Sequence, residues 1–379
     1  MDAKTLSTAE DCRDFVRGCT LLGTGGGGSP FKGLAFLLPE IEAGREFHWV
    51  DIDSLPDDCW TASCWGMGSV APRSPLAAEG SAALGLNEEQ GRHGFDRAIL
   101  ELSKYTNRKV EAVVPSELGG NNTPGPMWAA MKLGLPVVDG DYTGRAAPEV
   151  VHTSPLVLDQ PMLPLASVDP WGDVCLIAEA RNAMIAERIG KYLGLAVLSN
   201  TYMAGFLLQV RDVKKSLVRG TLTAALKLGR AIREARQRAL DPVQAAAAAY
   251  GGWVLFEGVI EAKDWEDRDG YMYGEYRLAG TGVYASHQAR IWLKNEHHIL
   301  WIDGGVQATT PDLIAVVDLE TAEPYTNTKL EAGQRVAILG YPGPELWRTK
   351  KGLSLMGPSY FGFDIPYIPL EERMKARGW

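Results

Sequence analysis

Along the first half of the chain, apolar positions recur at helical spacing in some segments and as short unbroken runs in others. Cys12, Phe15, Val16 and Cys19 fall on one helical face behind the capping box Ser7-Thr8-Ala9-Glu10, which predicts a helix ending near Leu22. A second helix is predicted from Pro30, carrying Leu34, Phe36, Leu37, Leu38 and Ile41. Short runs at Phe47–Ile52, Ala62–Trp65, Val110–Val114, Pro136–Val138 and Val174–Ala178 read as strands, with helices near Gly94–Tyr105, Pro126–Leu133 and Ala183–Leu193 between or after them. Such alternation predicts an α/β domain of three layers built on a mostly parallel sheet. Asp212–Ala239 gives the longest helical pattern, with Val218, Leu222, Ala225 and Ile232 on its apolar stripe. Arg219, Lys227, Arg230 and Arg233 form a basic set on it that reads as a solvated face rather than an anion site.

The pattern changes after Gly252. Gly274–Leu278, Ala289–Leu293, Ile299–Ile302, Leu313–Asp318 and Arg335–Leu339 are short, β-rich and separated by glycine turns, as in a barrel or sandwich. The expected organisation is an α/β domain over 1–250, a β-rich domain over 251–340, and an irregular tail over 341–379 packed back on the first domain.

Composition narrows the function classes. The chain has 379 residues, 46% of them hydrophobic and 22% charged, with a net charge of −9. That balance gives no footing for nucleic acid without a local basic patch. No run of about 18 apolar residues suggests a membrane span. The N-terminus is polar and acidic, unlike a secretory signal. The five cysteines form no Cys-x-x-Cys pair, so a reduced, cytoplasmic setting is expected. A homo-oligomer acting on a small molecule, without nucleic acid or membrane, is the expected form.

Three loops carry candidate chemistry. The first is GTGGGGSP, Gly23 to Pro30. Consecutive glycines leave bare N–H groups leading into a helix, so Thr24, Gly25, Gly26, Gly27, Gly28 and Ser29 are candidate binders of a substrate anion. No Gly-Lys-Ser/Thr follows, and a helix rather than a strand precedes the loop, which argues against a nucleotide fingerprint. The second is ELGGNN after the strand ending at Val114, with Glu117 as acid or base and Asn121 and Asn122 as donors to a carbonyl or adduct. The third follows Pro136–Val138. Asp139 and Asp141 could flank one reacting centre or share a cation, Arg145 could grip a carboxylate in a fork, and Glu149 lies just beyond. A divalent metal such as zinc held by Glu117, Asp139 and Asp141 is conceivable, although no HExxH motif or paired cysteines accompany them. Of the histidines, His297 and His298 should point to opposite faces of a strand, His152 could join the site of the Asp139 loop but is expected at the surface, and His93 has no evident partner. Cys19 is the cysteine best placed to be a nucleophile, though burial is the commoner fate.

The segments GCTLLGTGGGGSP, ELGGNN, GLPVVDGDYTGRAAPE, LVRGTLTAALKLGRAI, TTPDLIAVVDLETAEP and ELWRTKKGLSLMGPSYFGFDIPYIPL together resemble the S-methyl-thiohydantoin desulfurase-like family, which is linked to hydantoinase and oxoprolinase proteins. The resemblance runs from about Cys12 to Leu370. It implies an α/β N-terminal domain, a β-rich C-terminal domain and a hydrolase acting on a five-membered cyclic urea- or thiourea-like ring. In the name-giving activity, water displaces methanethiol. The chain departs from the family's DGDGMGRAFPE at Tyr142, Thr143 and Ala147. Two other readings stand beside this one: an ATP-dependent cyclic amidase subunit, and a non-catalytic heterocycle-binding sensor or accessory subunit.

Overall fold

The computed structural model describes residues 4–68, 80, 83–86 and 94–376. His93 lies outside the described residues. An eight-stranded sheet dominates the N-terminal part. Its order is Thr5–Leu6, Phe47–Val50, Val137–Val138, Ala112–Val113, Trp60–Met67, Thr201–Gln209, Leu165–Val168 and Val174–Ile177. The parallel core expected from the alternation is there: the four strands from Phe47–Val50 to Trp60–Met67 pair in parallel. Antiparallel strands extend it on both sides. Alternate strand residues enter two separate buried clusters, with Ala62, Cys64 and Val113 in one and Trp65, Ala112 and Val114 in the other. That two-sided burial explains the unbroken apolar runs.

The first helix, Ala9–Leu22, is capped by the Thr8 hydroxyl, which accepts from the Asp11 N–H at 3.0 Å. It packs against Thr221–Gln237 through close backbone contact. A Cβ on Gly18 would meet the Ala225 carbonyl at 1.8 Å, and one on Gly229 would meet the Asp14 carbonyl at 1.8 Å. Arg230 bonds Asp11 at 2.6 Å and Arg233 bonds Asp14 at 2.7 Å along this seam. Most of the basic set is therefore a salt-bridged face, with Arg219 held by Asp53.

The single helix expected over Asp212–Ala239 is two helices, Val210–Ser216 and Thr221–Gln237. Between them Val218–Arg219 forms a short strand against Gly140–Asp141, and Gly220 turns the chain at φ +75°. Pairing with the acidic loop overrides helical propensity there, so Val218 leaves the apolar stripe.

From Trp253 the chain forms a curled, wholly antiparallel half-barrel sheet of seven strands. Its order is Gly305–Thr309, Glu296–Ile302, Gln288–Lys294, Tyr271–Gly280, Trp253–Arg268, Arg335–Tyr341 and Leu313–Asp318. Its own core holds Phe256, Tyr276, Leu293 and Ile338. The tail is more ordered than expected. It carries helices at Lys350–Met356 and Leu370–Ala376. Trp347 and Met356 pack on Val157 of the first domain, while Leu370 and Met374 return to the half-barrel core. Among the described residues no helix is long and apolar enough to cross a membrane.

Candidate functional site

The loops that follow the parallel strands converge on the half-barrel, and a small cleft of about 60 Å³ lies between them. Glu117 and Asn122 enter it from the loop after Ala112–Val113, and Glu149 from the segment after Asp141. Glu187 and Lys191 stand one turn apart on the helix Ala183–Ala196. Glu296 comes from the opposite side, in the turn Lys294-Asn295-Glu296, where Asn295 takes φ +58°.

Glu117 is the most deliberately oriented of these groups. Its Oε1 accepts from the Asn122 amide at 2.6 Å, and its Oε2 accepts from the Ala147 N–H at 2.9 Å. Burial pushes its carboxyl up to about 7 despite both bonds. Glu296 is buried against the glycine loop, and its Oε2 has no hydrogen-bond partner. Burial first, then the Glu117 charge, drives its carboxyl well above the usual range. Glu149 behaves oppositely. Although burial raises it, the charges of His152 and Lys294 and the hydrogen bonds from Lys294 and Tyr360 outweigh that and hold it low. Lys191 donates to the Gly68 carbonyl at 2.8 Å, and burial lowers its ammonium. Glu187 accepts from the Tyr271 hydroxyl at 3.1 Å and the Val150 N–H at 3.1 Å, and burial raises it.

Several residues singled out from sequence sit elsewhere. Asp139 and Asp141 do not flank one centre. Asp139 accepts from the Thr223 N–H at 3.1 Å and its hydroxyl at 2.6 Å, tying the first turn of Thr221–Gln237. Asp141 is fully buried; its Oδ1 accepts the Thr143 and Gly144 N–H groups at 2.6 Å, its Oδ2 has no partner, and burial lifts it to about 6. The chain bends at Asp139, between the strand segments Val137–Val138 and Gly140–Asp141, and the two carboxylates go to different partners. Asn121 donates to the Asn122 side chain at 3.3 Å and lies against Gly28 rather than in the cleft.

Arg145 has its fork filled by the protein, which leaves no pair of donors for a substrate carboxylate. It donates to the carbonyls of Ala146, Asp312 and His297 and to the Thr24 hydroxyl, at 2.9–3.1 Å, with no exposed surface. It is a clamp between the two domains that also sets a positive charge behind Glu296 and Glu117.

The glycine loop is mostly buried, so its glycines are explained by close approach rather than by an open anion nest. A Cβ on Gly25 would meet Asn327 at 2.6 Å, on Gly26 the Glu296 carboxylate at 1.8 Å, on Gly27 the Gly119 Cα at 2.5 Å, and on Gly28 Asn121 at 2.6 Å. Gly27 alone of the four reaches the cleft, and its amide faces Glu296. Ser29 sits at the start of the Pro30 helix without a side-chain cap bond.

His152, expected at the surface, is fully buried with neither ring nitrogen bonded, and it packs edge-on to Tyr360 at 4.8 Å. The tail covers it, which its local sequence does not reveal. His297 and His298 are both buried. Cys19 belongs to the core, and burial pushes its thiol up, away from nucleophilic ionisation. Among the described residues no group of three His, Cys, Asp or Glu side chains is arranged to hold a metal. The proposed trio does not fit zinc, because Asp139 is bound to Thr223.

Glu187, Lys191, Lys294 and Glu296 were not among the sequence candidates. Their signals were present: a Glu and a Lys four apart on a helix whose only other charge is Arg188, and charges flanking an asparagine turn between two strands.

Fold and cleft together define a two-domain α/β and half-barrel protein with an acid-rich site at the domain interface. Family models for the S-Me-THD-like N-terminal domain and the S-Me-THD-like C-terminal domain match residues 10–179 and 180–370. The chain belongs to the S-methyl-thiohydantoin desulfurase-like family, whose name points to thiohydantoin-related chemistry. No curated protein matches it. The fold is similar to the crystal structure of a protein from Chromobacterium violaceum at 21% identity, covering 97% of this chain and 99% of that one with a TM-score of 0.76.

Proposed function

We propose that the chain is a hydrolase acting on a small five-membered cyclic urea- or thiourea-like ring, of the S-methyl-thiohydantoin or hydantoin type. The observation that carries this reading is Glu117: a carboxyl poised near 7, fixed by two hydrogen bonds, at the domain cleft of a family named for that ring. A group with that affinity can take and return a proton near neutrality.

In the reaction, water adds to the ring carbon that bears the S-methyl group. Glu117 accepts one proton from the water as the carbon–oxygen bond forms and passes it to the ring nitrogen, which leaves a neutral hydroxyl adduct. It then takes the remaining hydroxyl proton as the carbon–oxygen double bond of the hydantoin forms and the carbon–sulfur bond breaks, and gives that proton to the departing sulfur, so methanethiol leaves neutral. Glu296, kept protonated by its surroundings, can donate a hydrogen bond to a ring carbonyl. Lys191 supplies positive charge for the adduct. The filled, buried glycine loop supports this reading over a phosphate-binding amidase subunit.

The test is methanethiol release from S-methyl-thiohydantoin by the wild-type protein and by Glu117→Gln. Turnover by the wild type with a loss of about 10²–10⁴ in the variant is expected. No turnover by the wild type, or full activity of the variant, overturns the assignment.

A further inference from the structure

A second cavity, an open groove of about 650 Å³, lies on the half-barrel side. Trp265, Tyr273, Trp292, Tyr360 and Phe361 contribute its aromatic surface. It shares a wall with the inner cleft. Lys294 and Tyr360 both line the groove and both bond Glu149, which faces the cleft.

The two spaces differ in size and character. The inner one, about 60 Å³, is roughly a tenth of the outer and has no space for a large ring substituent. The outer one falls in the range of small-molecule sites. Charges on the groove are answered locally: Asp264 pairs with Arg277 at 3.0 Å, Glu266 with Arg268 at 3.0 Å, Glu275 with Arg290 at 2.8 Å, and Lys294 with Glu149. Protein cations already lie over two rings of the groove, Arg268 at 4.2 Å from Tyr273 and Lys263 at 5.9 Å from Trp265. A cationic guest would compete with them for those faces. What the groove offers a guest is therefore aromatic surface.

We infer that this groove binds the substituent of the substrate ring, a neutral aromatic group, while the ring reacts in the inner cleft past Glu149. This rests on the reaction proposed above and deepens it: the natural substrate is a ring carrying an aryl side group rather than the bare heterocycle.

The experiment compares S-methyl-thiohydantoins that are unsubstituted, 5-benzyl or 5-(4-aminobutyl), with Trp265→Ala and Trp292→Leu as variants, each checked for folding by circular dichroism. In the wild type kcat/KM should be highest for the benzyl compound. Its advantage over the unsubstituted ring should shrink about threefold to tenfold in each variant, through KM rather than kcat. An unchanged ratio in both variants, or a preference for the aminobutyl compound, overturns the inference. The binding of hydantoin and 5-benzylhydantoin, measured by calorimetry, separates this from the reaction itself. If no compound turns over but 5-benzylhydantoin binds more tightly than hydantoin and loses that advantage in Trp265→Ala, the groove stands and the reaction falls. If the two hydantoins bind alike, the groove assignment falls whatever the turnover.

Discussion

Replacing Glu117 by glutamine should make the protein less active, less stable at acidic pH, and as stable or more so at alkaline pH. In the folded chain burial raises this carboxyl from 4.5 to about 7. A group raised in this way stabilises the fold fully below its unfolded value, and that contribution is lost as pH rises through about 7. The shift corresponds to roughly 3 kcal/mol at most, reduced by the cleft's partial access to water. Glutamine carries no such penalty, but it keeps only one acceptor oxygen for the two donors, Asn122 and the Ala147 N–H. That mismatch costs about 1–2 kcal/mol at every pH. Relative to wild type, Glu117→Gln should therefore be less stable at pH 5 and equal or more stable at pH 8, a swing of roughly 2 kcal/mol. Denaturant titrations followed by fluorescence of the 11 tryptophans, from pH 5 to 8, would show it. The wild-type kcat/KM should rise with pH and level off above about 7, a limb that the variant lacks. A constant stability offset across that range would refute the account of Glu117 as a strained, functional carboxyl.

Other substitutions separate scaffold from chemistry. Arg145→Lys keeps the charge but not the fork over three carbonyls and Thr24; a loss of about 3 kcal/mol or more is expected in denaturant melts, and a stable variant with only a raised KM would return Arg145 to the substrate. Asp139→Ala should cost roughly 1 kcal/mol as a lost helix-start contact, with kcat/KM within about twofold of wild type; a loss of activity near that of Glu117→Gln would place it in the reaction. Gly27→Ala combines φ +70° with a 2.5 Å approach to Gly119, so poor folding or a melting point lowered by several degrees is expected, and an unchanged melting curve would contradict the packing.

Much of the architecture was legible because local pattern and tertiary role agree. The strands at Phe47, Ala62 and Val137 and the helices at Ala9, Pro30 and Gly94 lie where periodicity puts them. The strand Thr201–Gln209 was not read, because burial on both faces removes its alternation and Gly205 interrupts it. The split at Gly220 was hidden because Val218 fits a helical stripe as well as a strand, and only pairing with Asp141 decides between them. Glu117, Asn122 and Glu149 were reached from strand-end loops. Glu296 and Lys191 are brought there only when the half-barrel closes on the first domain, a contact no local signal encodes.

The charge balance of the cleft bears on what it can admit. Four carboxyls, Glu117, Glu149, Glu187 and Glu296, line it with one cation, Lys191, and two further cations, Lys294 and Arg145, lie behind it. Arg145 spends its donors on carbonyls and Thr24, and Lys294 is engaged by Glu149. The carboxyls therefore cannot all ionise together, and the upward shifts of Glu117 and Glu296 are the relief. A substrate carboxylate entering this space would add a negative charge where protons are already being recruited to remove it. A neutral ring asks for the opposite: protonated carboxyls that donate hydrogen bonds to ring oxygen or nitrogen, and one that can give up its proton near pH 7. The buried charge pattern thus favours the uncharged heterocycle over the anionic ligand that the glycine loop first suggested. It also turns the loop into the spacer that lets Glu296 approach Glu117, since any side chain at Gly26 would occupy the place of the Glu296 carboxylate.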